Sequence, residues 1–145
     1  GGIVEKQYSP AVGSITGVRI ENVRVLATHG ETAPSITITG ITSQNLGEIT
    51  IKDMYVEMPG GVTGDIPMPK ENDSGYPQSN LFGTTPAYAF FVRHADRVHL
   101  ENVQAGYLKP DTRTWLVSAD ALVETVNCTD RQQISHAPTD KEQQP

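Results

Sequence analysis

A repeated template constrains this chain more than any other feature of its sequence. It occurs as Val18-Arg19-Ile20-Glu21-Asn22-Val23-Arg24-Val25, as Ile49-Thr50-Ile51-Lys52-Asp53-Met54-Tyr55-Val56, and as Val98-His99-Leu100-Glu101-Asn102-Val103-Gln104-Ala105. Each copy reads apolar-x-apolar, a charged residue, Asn or Asp, then apolar-x-apolar. Alternation with a period of two makes each half a short strand with one buried face. An Asn or Asp between the halves tolerates the left-handed region or bonds its own backbone, and so bends the chain. The unit is strand, sharp bend, strand.

The spacing of the copies points to a solenoid. Asn22 and Asp53 are 31 residues apart, and Asp53 and Asn102 are 49 apart. Two loop-like insertions, Thr28 to Pro34 and the Gly- and Pro-rich Pro59 to Thr85, account for 7 and 27 of these residues and leave 24 and 22. A period of that size falls in the ~20–50 residue range of stacked repeats. Further strands are expected at 35–39 and 87–92. Three short strands per turn predict a parallel β-helix of four to five coils. An antiparallel sandwich would also show short strands with frequent turns. It is disfavoured by the absence of an Asn-Gly or Asp-Gly hairpin signal.

Composition agrees with an all-β chain. There are 13 Val, 10 Ile and 15 Thr against 7 Leu, and β-branched residues fit a pleated surface. The 145 residues allow one domain, expected over 1–129 with a long loop at 59–85. A polar tail at 130–145 is expected to be disordered. No apolar run approaches a membrane span, and no leader peptide is expected at the start. The formal net charge of -6 gives no electrostatic footprint for nucleic acid. Cys128 is the one cysteine, which excludes an internal disulfide and a multi-cysteine zinc site.

Several runs carry a resemblance to a known family. They are Gly60-Gly61, Tyr76-Pro77, Phe82-Gly83 and Pro86-Ala87-Tyr88-Ala89-Phe90-Phe91-Val92-Arg93-His94, followed by Leu100-Glu101-Asn102-Val103 and Asp111-Thr112-Arg113, with Ser35 to Ile41 upstream. Together they resemble the late coils of the polygalacturonase family, glycoside hydrolase family 28. The resemblance implies a right-handed parallel β-helix of the pectin-lyase-like kind. It also implies pectin as the substrate class, a secreted or periplasmic location, and inverting hydrolysis in complete enzymes. The family's signatures are Asn-x-Asp, Asp-Asp, Gly-His-Gly and Arg-x-Lys, in that order. None is present: Glu71-Asn72-Asp73, Thr28-His29-Gly30 and Arg19-Ile20-Glu21 each depart from the pattern. No catalytic residue can therefore be carried over.

The residues themselves leave three readings. The first is a β-helix that binds polysaccharide or oligosaccharide without the family's catalytic set. Its substrate contacts would be Tyr76, Tyr88, Arg93 and His94, since aromatic faces and guanidinium forks suit acidic sugars. The second is a small hydrolase with a substitute site, for which Asp53, Asp96, Glu101 and Asp120 are the candidate carboxylates. The third is a structural module that self-associates through an open β-helix end, and a homo-oligomer is expected on that ground. Strand alternation predicts that Arg93 and His94 point to opposite faces and that His99 points outward. Trp115 is expected to pack a late coil, and Cys128 to act as a small apolar residue. No metal and no cofactor is expected, because the histidines lack ligand spacing.

Overall fold

The computed structural model describes residues 13–27, 33, 35–74 and 81–135. Six strands occupy most of them: β1 (Val18–Leu26), β2 (Ile36–Thr39), β3 (Leu46–Gly60), β4 (Ala87–Lys109), β5 (Thr114–Val126) and β6 (Thr129–Gln133). There is no helix among the described residues. All strand pairs named here are parallel, and they form one curled sheet. The described residues are therefore all-β, with a parallel sheet, as the repeat predicts.

The long strands are bent at left-handed residues, and the bends divide the sheet into three columns. Asn22, Asp53, Asn102 and Asn127 have φ of 56°, 56°, 52° and 53°. The first three are the central residues of the sequence template. His94 and Asp120 form a second line of bends at 54° and 50°. One column stacks β2 with the first parts of β4 and β5. The next runs through β1, β3, β4 and β5, and the last through β1, β3, β4 and β6.

The register reproduces the repeat. Val18 pairs with Ile49 and Ile49 with Val98, so the three template copies lie one above another. A fourth layer follows, in which Val98 pairs with Val123 and Glu101 with Val126. Asn127 continues the line of bends. Asn102 Nδ2 donates to Asp53 Oδ1 at 2.7 Å, and Asn127 Nδ2 donates to Asn102 Oδ1 at 3.2 Å. This amide ladder occupies side chains whose backbone has left the strand ladder.

Alternate residues fill the core. Ile51, Val56, Tyr88, Phe90, Val98, Leu100 and Val103 are at most 1% exposed. Burying each aliphatic side chain contributes about 1.5–3 kcal/mol. Trp115 packs edge-on against Phe90, with centroids 5.9 Å apart. Cys128 packs against the core and its Sγ donates to the Leu100 carbonyl at 3.3 Å. Both residues take the packing roles expected of them.

A buried ion pair fixes the end of the long connection between β3 and β4. Asp111 and Arg113 have side chains 0% and 2% exposed, and Arg113 Nη2 donates to Asp111 Oδ2 at 2.8 Å. Arg113 Nη1 also donates to the carbonyls of Ala33, Thr85 and Ala87 at 3.0, 3.2 and 3.2 Å. Asp111 accepts from the backbone N–H of Val62 at 3.2 Å and of Arg113 at 2.9 Å. Burial pushes the Asp111 carboxyl up, but the guanidinium and the two N–H donors outweigh it and hold it below the usual range.

The tail expected from Asp130 onward is not disordered over its first residues. Residues 130–133 belong to β6, because Gln104 pairs with Thr129 and Tyr107 with Gln133 on the edge of β4. Residues 136–145 lie outside the described residues.

Candidate functional site

The densest polar cluster lies where the first line of bends meets the connection after β3. Within that connection, 61–74 and 81–86 contain no strand or helix. The part around 69–74 crosses back over the first column and is fastened to it. Arg93 Nη1 donates to the Pro69 carbonyl at 2.7 Å and Nη2 to the Lys70 carbonyl at 3.4 Å. Its guanidinium lies 5.3 Å from the Phe82 ring and 5.2 Å from the Phe91 ring. Phe82 stacks on Phe91 at 6.0 Å, and so covers the outer face of the sheet where Phe91 would otherwise meet water.

His94 completes the fastening. Its Nε2 is 2.9 Å from Glu71 Oε1, and its Nδ1 is 2.7 Å from Asp120 Oδ2. Glu71 Oε1 is also 3.5 Å from Arg93 Nε. The imidazole thus joins the crossing segment to β5. The hydrogen bond to Asp120 raises the His94 pKa; burial opposes this, and Glu71 adds to it. The site favours imidazolium, which donates from both nitrogens.

Strand alternation predicted opposite faces for Arg93 and His94, but both reach the same Glu71 oxygen. The left-handed φ of His94 turns the chain at that residue and breaks the alternation. The bend also brings the backbone close to its neighbour. A Cβ on Gly40 would sit 2.5 Å from the His94 carbonyl oxygen, so glycine is required there.

Next to this cluster is a cleft of about 250 Å³, lined by Thr39, Gly40, Glu71, Asn72, Asp73 and Phe82 among others. Asp73 accepts from the Thr42 hydroxyl and, at 3.1 Å, from the Thr42 N–H. The hydroxyl contact, then the backbone one, holds its carboxyl below the usual range. Glu71 and Asp73 escaped the sequence reading. They lie outside the periodic strands, and their only signal is the short acidic run Glu71-Asn72-Asp73.

The other candidates are dispersed. Tyr88 is 0% exposed, and its hydroxyl donates to the Ala105 carbonyl and to Asp130. Burial, then the Asp130 contact, pushes its hydroxyl pKa far up. It is a core residue rather than a sugar contact. Arg93, 5% exposed, is committed to the crossing segment. Tyr76 lies outside the described residues.

The four candidate carboxylates belong to four separate contacts. Asp53 accepts from Asn102, Asp96 from Asn45 at 3.2 Å, and Asp120 faces His94. Glu101 is 3.2 Å from Lys52 and 3.3 Å from His99. The His99 bond, then Lys52, lowers its pKa. Inverting hydrolysis needs two carboxylates roughly 6.5–9.5 Å apart with a water between them. Glu71 and Asp120 flank one point, but the His94 imidazole fills the space between them. Among the described residues no group of three His, Cys, Asp or Glu is placed to hold a metal ion.

Comparison of the chain with protein-family models, with curated proteins and with solved structures gives no match.

Proposed function

We propose that the chain is a stretch of right-handed parallel β-helix, similar to the late coils of the polygalacturonase family, that binds a polysaccharide without cleaving it. The three stacked columns and the 25-residue step from Val98 to Val123 support the β-helix. The observation that carries the binding reading is the cleft beside Glu71. Its lining combines held carboxylates, the Asn72 amide and the Phe82 ring, a combination that suits sugar hydroxyls and the apolar faces of pyranose rings. Arg93 and His94 offset the charge of Glu71, and Thr42 holds Asp73, so the cleft is preorganised. Inverting hydrolysis would need a water between two carboxylates, and between Glu71 and Asp120 the His94 imidazole takes that space. The resemblance places such a protein in a secreted or periplasmic setting.

Calorimetric titration with polygalacturonate, rhamnogalacturonan and neutral polysaccharides tests the reading, run beside reducing-sugar release with a heat-denatured control. Binding of at least one polysaccharide, weakened in Asn72→Ala and without sugar release, is the expected result. Heat-labile release would favour the hydrolase reading and overturn this one, and absence of all binding would also overturn it.

A second reading, self-association, is favoured by the outer strands. Ile20 and Leu26 on β1 are 37% and 51% exposed, and Leu122 and Val126 on β5 are 57% and 47% exposed. Among the described residues β1 pairs on one edge alone, which leaves a template for another strand. Light scattering across a concentration series distinguishes an oligomer from a monomer.

A further inference from the structure

The arginines of the described residues fall into two groups. Arg19 pairs with Glu21, Arg93 with Glu71, Arg97 with Glu124 and Arg113 with Asp111. Among the described residues Arg24 and Arg131 have no ion pair. They come from strands on opposite sides of the third column, β1 and β6, yet both converge on one ring. The Arg24 guanidinium carbon is 5.0 Å from the Tyr55 centroid, and that of Arg131 is 5.9 Å from it. Both side chains belong to exposed residues, and Tyr55 between them is half-buried.

The ring marks one edge of a groove of about 350 Å³ lined by Asn22, Arg24, Asp53, Tyr55, Asn102 and Gln104. The carboxylates of Asp53 and Glu57 belong to this neighbourhood, and each accepts a hydrogen bond from a residue that lines the groove. Asp53 accepts from Asn102, while Glu57, 7% exposed, accepts from the Tyr55 hydroxyl at 2.8 Å. Among the described residues, the donors on this face outside those bonds are two guanidinium forks and the amides of Asn22 and Gln104.

We propose that this face is a second binding site, separate from the cleft at Glu71, for a polymer bearing oxyanions, namely a sulfated or carboxylated glycan. A planar guanidinium fork matches the two oxygens of a carboxylate or sulfate. An aromatic ring in contact with two such forks holds them in place and limits the entropy lost on binding. The amides beside them suit hydroxyl groups. A glycan is favoured over nucleic acid by charge density. A chain of net charge -6 repels a densely charged phosphate backbone, whereas two guanidiniums can match a sparsely charged glycan.

The test is titration of the full chain with dextran sulfate, polygalacturonate, unmodified dextran and single-stranded DNA at low salt. Dextran sulfate or polygalacturonate should bind, and which of them binds identifies the oxyanion. In the double variant Arg24→Gln, Arg131→Gln that binding should weaken about tenfold or more. Binding to wild type should also fall steeply as salt is raised, which tests the site even if the variant unfolds. Equal binding by a folded double variant, equal binding of unmodified dextran or of DNA, or no binding of either polyanion would overturn the proposal. Retained binding of neutral polysaccharide at the Glu71 cleft would leave the proposed function standing in each of those cases.

Discussion

Removing one partner of the buried Asp111–Arg113 pair perturbs the fold where its cost can be worked out. The two side chains are 0% and 2% exposed, so solvent does not screen their interaction. Arg113→Met leaves the carbonyls of Ala33, Thr85 and Ala87 without their guanidinium donor and leaves Asp111 with two backbone N–H groups. Breaking a buried, hydrogen-bonded pair costs about 3–5 kcal/mol. In a chain of this size about 2–4 °C of melting temperature is lost per kcal/mol, so the midpoint should fall by roughly 6–20 °C. Asp111→Ala should cost a similar amount, because it strands a cation that cannot deprotonate. The double variant Asp111→Leu, Arg113→Met should cost less than the two single costs added together. Asp111 is held below its unfolded pKa, so its contribution is present above that pKa and fades as pH falls through the folded value. The gap between wild type and Arg113→Met should therefore be widest near neutral pH and narrow towards acid. Urea denaturation at several pH values measures all of these. Single variants within about 1 kcal/mol of wild type would refute the reasoning, since a buried charge cannot lose its partner at so small a cost.

Two further perturbations follow from the bends. Asn102→Gly should lose only the amide-ladder bonds to Asp53 and Asn127, whereas Asn102→Ala also holds alanine in the left-handed region at about 1–2 kcal/mol more. Equal melting points for the two would show that the φ of 52° is not what selects this residue. At the other bend, the His94 pKa is raised, chiefly by the Asp120 hydrogen bond. Its fastening of the crossing segment should be complete below the ordinary histidine pKa of about 6.5 and lost as pH rises through the raised value. Hydrogen exchange of residues 65–74, corrected for intrinsic rates, should accelerate with rising pH in wild type and stay level in His94→Gln. Unchanged protection of wild type at high pH would count against that role.

The stacking was legible because each layer carries the same alternation at the same place. Val18, Ile49 and Val98 begin their template copies, and they are the residues that pair. The bends were legible for a related reason, since Asn and Asp tolerate a conformation that costs most other residues about 1–2 kcal/mol. The fourth layer was expected from the coil count, but it carries no copy of the template that would fix its register. There Thr125 stands opposite Leu100 and Val126 opposite Glu101. A layer with one neighbour packs less tightly and tolerates a polar residue in place of an apolar one. For the same reason β6, whose residues are all exposed, looked like an unstructured tail: its pairing is made by backbone groups that any sequence supplies.

The site was less legible, because its geometry depends on where the periodicity breaks. Alternation places Arg93 and His94 on opposite faces, and it fails at His94 because histidine there adopts a φ of 54°. Nothing in Arg93-His94-Ala95 signals such a bend as Asn102 does. In the sequence Tyr88 and Arg93 read as an aromatic and cationic surface, and the fold buries both of them. The Tyr88 hydroxyl bonds Ala105 and Asp130, and the Arg93 Nη atoms bond the carbonyls of Pro69 and Lys70. Arg24, Tyr55 and Arg131 show the opposite case. They are far apart in sequence and carry no motif, but parallel stacking places their strands within one column. In a curled parallel sheet, side chains meet by register across layers, so a binding face should be sought along the columns. The unpaired guanidiniums on either side of Tyr55 are where that search leads.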